Sequence, residues 1–437
     1  MDTLNSLINK IKEYSADIKI DNLSIKIGTD LERMDFLHLK PYLYLLLNKF
    51  ESSYFILLDG LPYCLMPDAQ SHIIYNKKQK TEYLKDKGCR LCKYIDSCPG
   101  WPKNTKKAHL FRPSPIEDIP KEIVLEITQK CNLNCLVCFS QRTTKELSLA
   151  KIKETIDECH NLKIKTIRFT GGEPLLYKSV EAALSYAKEK SLYVILNTNA
   201  TILDKGTKAT FKNYVDNILI SFQGFNPASE RKLTRYSYNF KQKLKNIIEL
   251  TYLIPKIRLG TAISQTLLDN LSKYYNLMKK LNIKDWELFR PMRGLQKKEF
   301  KINRQDLIEL MRSIKEIKKD DNINLKIANA VPFCITQDFN LAQVTLLGAE
   351  ADDGHNRLIL DARGFFKPSY FIHENLGLTI KEARQNPFLR KLRSLNFLPQ
   401  KCKACFYLKW CKGGSRYWAK VAYQDYFKPD PLMVATI

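Results

Sequence analysis

Residues 122–139 read Glu-Ile-Val-Leu-Glu-Ile-Thr-Gln-Lys-Cys-Asn-Leu-Asn-Cys-Leu-Val-Cys-Phe. The apolar run Ile123–Ile127 has the length and β-branched content of a buried strand, and it stops at the polar step Thr128-Gln129-Lys130. Directly behind it, Cys131, Cys135 and Cys138 place three thiols within eight residues. A loop that short can wrap its sulfurs around one iron–sulfur cluster, and three ligands leave one iron of a four-iron cube open.

Outward from this stretch the same alternation recurs. Apolar runs at Thr166–Phe169, Tyr193–Leu196, Asn217–Ile220, Lys256–Ala262 and Asp285–Phe289 are separated by charged amphipathic stretches. In Leu149–Asn161, for example, Ile152, Ile156 and Cys159 share one face, which makes Cys159 a core residue; Val180–Lys190 is a second such stretch. Six β/α units in succession predict an α/β fold, a parallel sheet with helices outside, curled as a partial TIM-like (β/α)6 barrel. Chemistry then belongs at the strand C-terminal ends. Those ends carry Phe169-Thr170-Gly171-Gly172-Glu173-Pro174, Asn197-Thr198-Asn199, Ser221 with Gln223, and Arg290 before Pro291.

The Cys-x3-Cys-x2-Cys spacing after a strand, the aromatic Phe139 behind it and the Gly-Gly-Glu-Pro segment resemble the radical S-adenosylmethionine superfamily over about residues 118–295. The resemblance implies a [4Fe-4S] cluster on Cys131, Cys135 and Cys138. Its open iron would chelate S-adenosylmethionine, so that an electron enters the sulfonium and the 5′ carbon–sulfur bond breaks. It also implies cofactor contacts from Phe139, Thr170, Gly171, Gly172, Glu173 and Pro174. Among these, Glu173 would supply the anion for the cofactor's amino group, and the glycines would admit its close approach. Asn197, Asn199, Ser221 and Gln223 stand where the family places contacts to the ribose and carboxylate. Arg290 is a candidate partner for a carboxylate of cofactor or substrate, with an ordinary surface ion pair as the alternative.

Domain boundaries follow from the pattern. Residues 1–115 form an N-terminal cysteine-containing module, 118–300 the barrel core and 305–437 a C-terminal cysteine-rich domain; the proline-rich stretch from Arg112 to Pro120 reads as a linker. The outer modules share a repeat. Cys89-x2-Cys92-x-Tyr94-x3-Cys98-x-Gly100 has the form of Cys402-x2-Cys405-x-Tyr407-x3-Cys411-x-Gly413, and the steps Pro62-Tyr63-Cys64 and Pro332-Phe333-Cys334 precede them. Four thiols close either a cubane cluster or a tetrahedral zinc site. The C-terminal set resembles a degenerate SPASM or twitch extension, which implies one or two auxiliary [4Fe-4S] clusters. Ser415 and Ser369 stand where that extension often has cysteines. The expected sets are Cys334, Cys402, Cys405 and Cys411, and Cys64, Cys89, Cys92 and Cys98, with zinc as the alternative metal at either.

Seventy-one Lys and Arg against 46 Asp and Glu give a formal charge of +25. Genome composition suffices to produce this excess; if functional, it favours an anionic partner. A reduced flavodoxin- or ferredoxin-type donor, an acidic peptide, a protein or an anionic small molecule all qualify. No basic patch with interleaved aromatics points to nucleic acid. No span or signal-peptide pattern is evident, which leads to the expectation of a cytoplasmic protein without a membrane partner. Twelve cysteines in a reducing compartment read as metal ligands before disulfides. The resemblance as a whole implies hydrogen abstraction from a peptide or protein side chain. Gly364-Phe365-Phe366-Lys367-Pro368-Ser369 with Gly413-Gly414-Ser415-Arg416 also resembles the tail of enzymes that trim the propionates of haem-type tetrapyrroles. A third reading is an electron-transfer module that has kept the fold without catalysis.

Overall fold

The computed structural model describes residues 119–433 except 139, 141, 293–297, 319–322, 329–330, 337, 347–351, 404 and 406. Before residue 119 it describes 4–13, 16–21, 24–29, 36–50, 55–59, 61–66, 73–74, 83–85, 89, 98 and 100–102. Contacts divide the chain into two compact units, Met1–Asp118 with Arg393–Gly413, and Ile119–Leu392 with Gly414–Ile437.

The first unit begins with α1 (Leu4–Glu13), β1 (Ala16–Asp21), β2 (Ser24–Thr29), α2 (Phe36–Phe50) and β3 (Phe55–Asp59). It continues through β4 (Ile73–Ile74), β5 (Tyr83–Leu84) and β6 (Trp101–Pro102). Strands β1 to β4 form one sheet, in which β2 and β3 run parallel across α2. Leu39, Leu43, Leu46 and Leu47 make the apolar stripe of α2 and pack in one cluster with Leu7, Ile11, Ile56 and Leu58.

The second unit alternates strand and helix: β7 (Glu122–Thr128), α3 (Leu149–Asn161), β8 (Thr166–Gly171), α4 (Val180–Glu189), β9 (Tyr193–Thr198), α5 (Lys205–Tyr214) and β10 (Asn217–Ser221). Then come α6 (Pro227–Thr234), α7 (Phe240–Leu253), β11 (Lys256–Ala262), α8 (Gln265–Leu268), α9 (Leu271–Lys280), β12 (Asp285–Phe289), α10 (Arg304–Ile317) and β13 (Asn324–Ile327). Short polar side chains start these helices, as Ser148, Asp204, Asn226, Asn239 and Asn303 each accept a first-turn amide. The six expected runs are β7 to β12, in sequence order and parallel. The expected irregular tail adds β13 on one side, and β14 (Arg357–Leu360) with β15 (Phe366–Lys367) beside β7. Strands of four and two residues carry no readable period; pairing with a neighbour already in place makes them strands.

The register gives the sheet two unlike faces. On one lie Ile123, Leu125, Ile127, Ile167, Phe169, Val194, Leu196, Ile218, Ile220, Leu259, Trp286 and Leu288, all buried. Helices α3, α4 and α7 pack on this side against β7, β9 and β11, and Cys159 sits in that layer as expected. The other face is polar. Arg168 Nε lies 2.5 Å from Glu122 and its Nη1 donates to Asn197 at 3.1 Å. Arg258 donates to Asn217 and Glu287 at 3.0 Å, and Lys367 Nζ lies 2.9 Å from Glu126.

Burial alone would raise the Glu122 carboxyl, but Arg168 and Arg357 outweigh it and hold it at about 2. This stabilisation is complete above the carboxyl's ordinary range and is lost as the pH falls toward 2. Glu122→Gln should therefore destabilise the fold by about 3 kcal/mol at neutral pH. Denaturant unfolding from pH 7 to 2 should show the difference from wild type shrinking steadily below pH 5.

Candidate active site

Every strand of the core ends on the same side, and the loops there are tied to one another by main-chain bonds. The Gly171-Gly172-Glu173 segment lies against the backbone that leads into the cysteine loop, with Gly172 N donating to Thr128 O and Glu173 N to Lys130 O, both at 2.7 Å. A Cβ added at Gly171, whose φ is +140°, would lie 2.1 Å from Thr128 O, and one at Gly172 2.1 Å from Lys130 O. The glycines thus admit protein backbone, where the sequence suggested room for a ligand.

Glu173 is fully buried. Its Oε1 accepts from the Thr198 hydroxyl at 2.7 Å and from Leu175 N at 3.2 Å, and its Oε2 accepts from Asn199 N at 2.7 Å. Burial raises its pKa against these donors. The carboxylate therefore clamps the end of β9 to the turn after β8, and three of its acceptor positions are already used. Pro174 starts the single 3-10 turn behind it.

The cysteine loop is held from two further directions. Asn199 Nδ2 donates to Asn132 Oδ1 at 2.8 Å, and Asn132 Nδ2 donates to Thr201 at 2.8 Å. From the other side, Asn134 N and Leu136 N donate at 3.0 Å to the last carbonyls of α6, those of Thr234 and Leu233. Leu136 and Val137 pack on Leu233, Ala262 and Phe300. Burial pushes the Cys131 thiol up to about 11, with Glu173 and Cys138 adding to the rise, and pushes Cys135 up to about 12, with Cys138 and Cys131 adding to it. Three soft donors on one loop suit a cationic cluster, whose binding releases their protons. Among the described residues no three Cys, His, Asp or Glu side chains are drawn together to metal-coordinating distance.

Of the other expected contacts, Thr170 and Asn197 face the polar side, with Asn197 Nδ2 donating to Thr170 at 3.3 Å. Ser221 is exposed at the end of β10. Gln223 instead spends its amide oxygen on Ala262 N at 3.1 Å. Arg290 is buried, donates to Asp430 at 2.8 Å and stacks 4.6 Å from the Trp418 ring centre. It ties the end of β12 to the turn at residues 430–433, so neither the expected carboxylate contact nor the surface ion pair describes it. Phe139 and Cys92 lie outside the described residues. Cys334 belongs to the second unit and Cys402, Cys405 and Cys411 to the first, which also holds Cys64, Cys89 and Cys98.

A buried network behind the loop escaped sequence analysis. Lys243 Nζ donates to Ser221 O and Glu230 Oε1, both at 2.7 Å, and to the Tyr238 hydroxyl at 3.2 Å. Glu230 also accepts from Gln223 N at 3.0 Å and from Gly224 N and Tyr238. The available signal was a lysine among Phe240, Ile247 and Leu250 on the apolar face of α7. A second missed feature is a charged pocket next to Gly171 and Ser140, lined by Glu126, Gln129, Asp361, Arg363, Lys367 and His373.

Comparison with known proteins agrees with this geometry. Residues 125–264 match the Radical SAM superfamily model. The chain is 26% identical over 344 residues to the AdoMet-dependent heme synthase of Methanosarcina barkeri, covering 72% of this chain and 96% of the relative. It is 29% identical over 135 residues to the PqqA peptide cyclase of Bradyrhizobium diazoefficiens, 29% of this chain and 35% of the relative. The structure of Streptococcus suis SuiB bound to precursor peptide SuiA shares the fold, with a TM-score of 0.59 at 16% identity over 71% of this chain and 75% of SuiB.

Removing one member of the buried Lys243–Glu230 pair strands the other. Lys243→Met should cost about 3–5 kcal/mol in unfolding free energy. It should also loosen the α6 carbonyls that hold the cysteine loop, seen as less iron retained per chain after anaerobic gel filtration.

Proposed function

We propose that this chain, a radical S-adenosylmethionine enzyme, holds its [4Fe-4S] cluster on Cys131, Cys135 and Cys138 and abstracts hydrogen from a side chain of a peptide or protein. When bound and reduced, such a cluster would supply the electron that cleaves S-adenosylmethionine to methionine and a 5′-deoxyadenosyl radical. The protein's part is to hold that site rigid. Asn132, Asn134 and Leu136 fix the loop through Asn199, Thr234 and Leu233, and buried Glu173 keeps the ends of β8 and β9 in register with it. Exposed Ser221 and the polar Thr170 and Asn197 offer hydrogen bonds to the cofactor. The observation that carries this reading is the Gly-Gly-Glu segment tied by two backbone bonds of 2.7 Å to the residues that lead directly into the three-thiol loop.

Arg363, Lys367 and His373 line the pocket beside that segment, the first two paired with Asp361 and Glu126 of the same pocket, and support a substrate whose carboxylate can exchange into such ion pairs, as that of an acidic peptide can. A second reading, modification of a tetrapyrrole propionate, is favoured by the likeness to the heme synthase along 96% of its length. Both require a reduced flavodoxin- or ferredoxin-type donor. An auxiliary iron–sulfur cluster would be needed to take up the electron left on the substrate, a part that zinc, without redox chemistry, could not fill. Among the described residues no helix is long and apolar enough to cross a membrane.

Anaerobically reconstituted protein given S-adenosylmethionine and dithionite should release 5′-deoxyadenosine, and Cys131→Ala should release none. Equal release from both would sink the reading. The substrate is whichever of acidic peptides and propionate-bearing tetrapyrroles accelerates release. With that substrate, Arg363→Met should raise KM roughly tenfold through loss of a charged contact.

A further inference from the structure

Between Glu230 and Glu249 the chain carries charge of one sign. From Arg231 to Ile248 it holds six Lys and Arg residues and no Asp or Glu, against 71 to 46 for the whole chain. Helix α6 and the loop behind it bring part of this charge to the surface, where Arg231, Lys232, Arg235 and Tyr236 are all exposed. Arg231 and Arg235 stand one helical turn apart and so share a face. The carboxylate just ahead of them offsets none of their charge, because Glu230 is buried and bound to Lys243.

A second basic segment is clasped to the same helix. Lys232 Nζ lies 2.5 Å from Glu299 and 3.0 Å from Thr266 Oγ1, and Phe300 packs on Leu233. These contacts hold the 3-10 turn Lys298–Phe300 against α6, with Lys298 and Lys301 exposed on either side of the paired Glu299. Arg142, four residues after Cys138, adds a sixth cation; it is exposed and donates to Cys135 O. Among the described residues Arg142, Arg231, Arg235, Lys298 and Lys301 have no ion-pair partner, so of the six only Lys232 is neutralised.

The charge gathers at one short stretch of chain. Asn134 N and Leu136 N, on either side of Cys135, donate to the Thr234 and Leu233 carbonyls at the end of α6, and Arg142 reaches the Cys135 carbonyl between them. The elements that carry this surface follow β10, β11 and β12. The pocket that the proposed function gives to substrate is lined instead from β7, β8 and β15, toward the other edge of the strand order.

We propose that this basic surface, formed by Arg142, Arg231, Lys232, Arg235, Lys298 and Lys301 with Tyr236 among them, is the docking site of an acidic one-electron carrier protein. The inference rests on the cluster of the proposed function, because it assigns the place where the electron enters. Electron passage through protein slows steeply with distance, so a carrier must seat where the ligand loop lies close beneath the surface. A carrier that covers the end of α6 is one loop away from Cys135. One electron leaves the reduced carrier and reduces the cluster by one, with no bond made or broken. Exposed cations without partners speed the encounter with an anionic protein, and a contact held mainly by charge stays weak enough for the oxidised carrier to leave.

Reduced flavodoxin serves as the probe on the anaerobically reconstituted full-length chain, with dithionite as the small-molecule reductant for comparison. In the double variant Arg231→Glu/Arg235→Glu, 5′-deoxyadenosine release driven by flavodoxin should fall about tenfold at low ionic strength, while release driven by dithionite holds. The calorimetric Kd for flavodoxin should rise by about the same factor, and added salt should slow the wild type toward the variant. Lys298→Glu/Lys301→Glu, on a separate turn, should behave alike and guards against a local fault in α6. Lys205→Glu/Lys212→Glu, on α5, should change neither rate nor Kd. Wild-type flavodoxin-driven release and Kd in both surface variants overturn the inference. So does a variant that keeps flavodoxin-driven release but loses acceleration by an acidic peptide, because the surface then serves substrate. A wild type that releases nothing with either reductant strikes the proposed function, and the Kd with its salt dependence still decides the docking.

Discussion

Two backbone hydrogen bonds, from Gly172 N to Thr128 O and from Glu173 N to Lys130 O, are the constraint on which the remainder of the site depends. They bring the turn after the second core strand against the chain just before Cys131, at a separation that no side chain larger than hydrogen allows. Once that contact is made, the buried Glu173 carboxylate can reach the amide of Asn199, and Asn199 can reach Asn132 in the cysteine loop. Three strand ends are thereby joined into one rigid rim.

The far side of the loop is fixed by different means. The last carbonyls of α6 would need partners in any fold, and here the loop amides of Asn134 and Leu136 provide them. The helix in turn is held by Glu230, which reaches Lys243 and the amides of Gln223 and Gly224. A buried ion pair of this sort adds little net stability over an apolar pair, but it admits one arrangement of β10, α6 and α7. That serves a site whose task is to keep a reactive centre in a fixed place. The polar face of the sheet follows the same logic, because the ion pairs Glu122–Arg168 and Arg258–Glu287 match charge to charge across neighbouring strands.

The charged groups added by the C-terminal region line a pocket beside Gly171 on this rim. Lys367 on β15 reaches Glu126 on β7, and Arg363 holds Asp361. Arg290 and Asp430 hold the turn at residues 430–433 on the same core unit. Strands β13 to β15 and Asp430 are thus part of the second unit, joined to its core by strand pairing and buried ion pairs, whereas Arg393–Gly413 belongs to the first.

Sequence by itself determined the six parallel strands, the core position of Cys159 and the cysteine loop at the first strand's end, because periodicity and spacing are local properties of the chain. It also exposed the duplicated cysteine pattern. Only the tertiary structure decided what individual polar residues do. Glu173 and Asn199 carry the residue types of ligand contacts yet spend their hydrogen bonds on neighbouring loops, Arg290 turns to Asp430, and Lys243 is buried beside Glu230 although lysine is seldom found inside. Strands β13, β14 and β15 likewise exist through their neighbours. The physical reason is common to all of these: a hydrogen bond or ion pair is chosen by whatever partner the fold brings within about 3 Å, and that partner lies anywhere from a few to well over a hundred residues away in the chain.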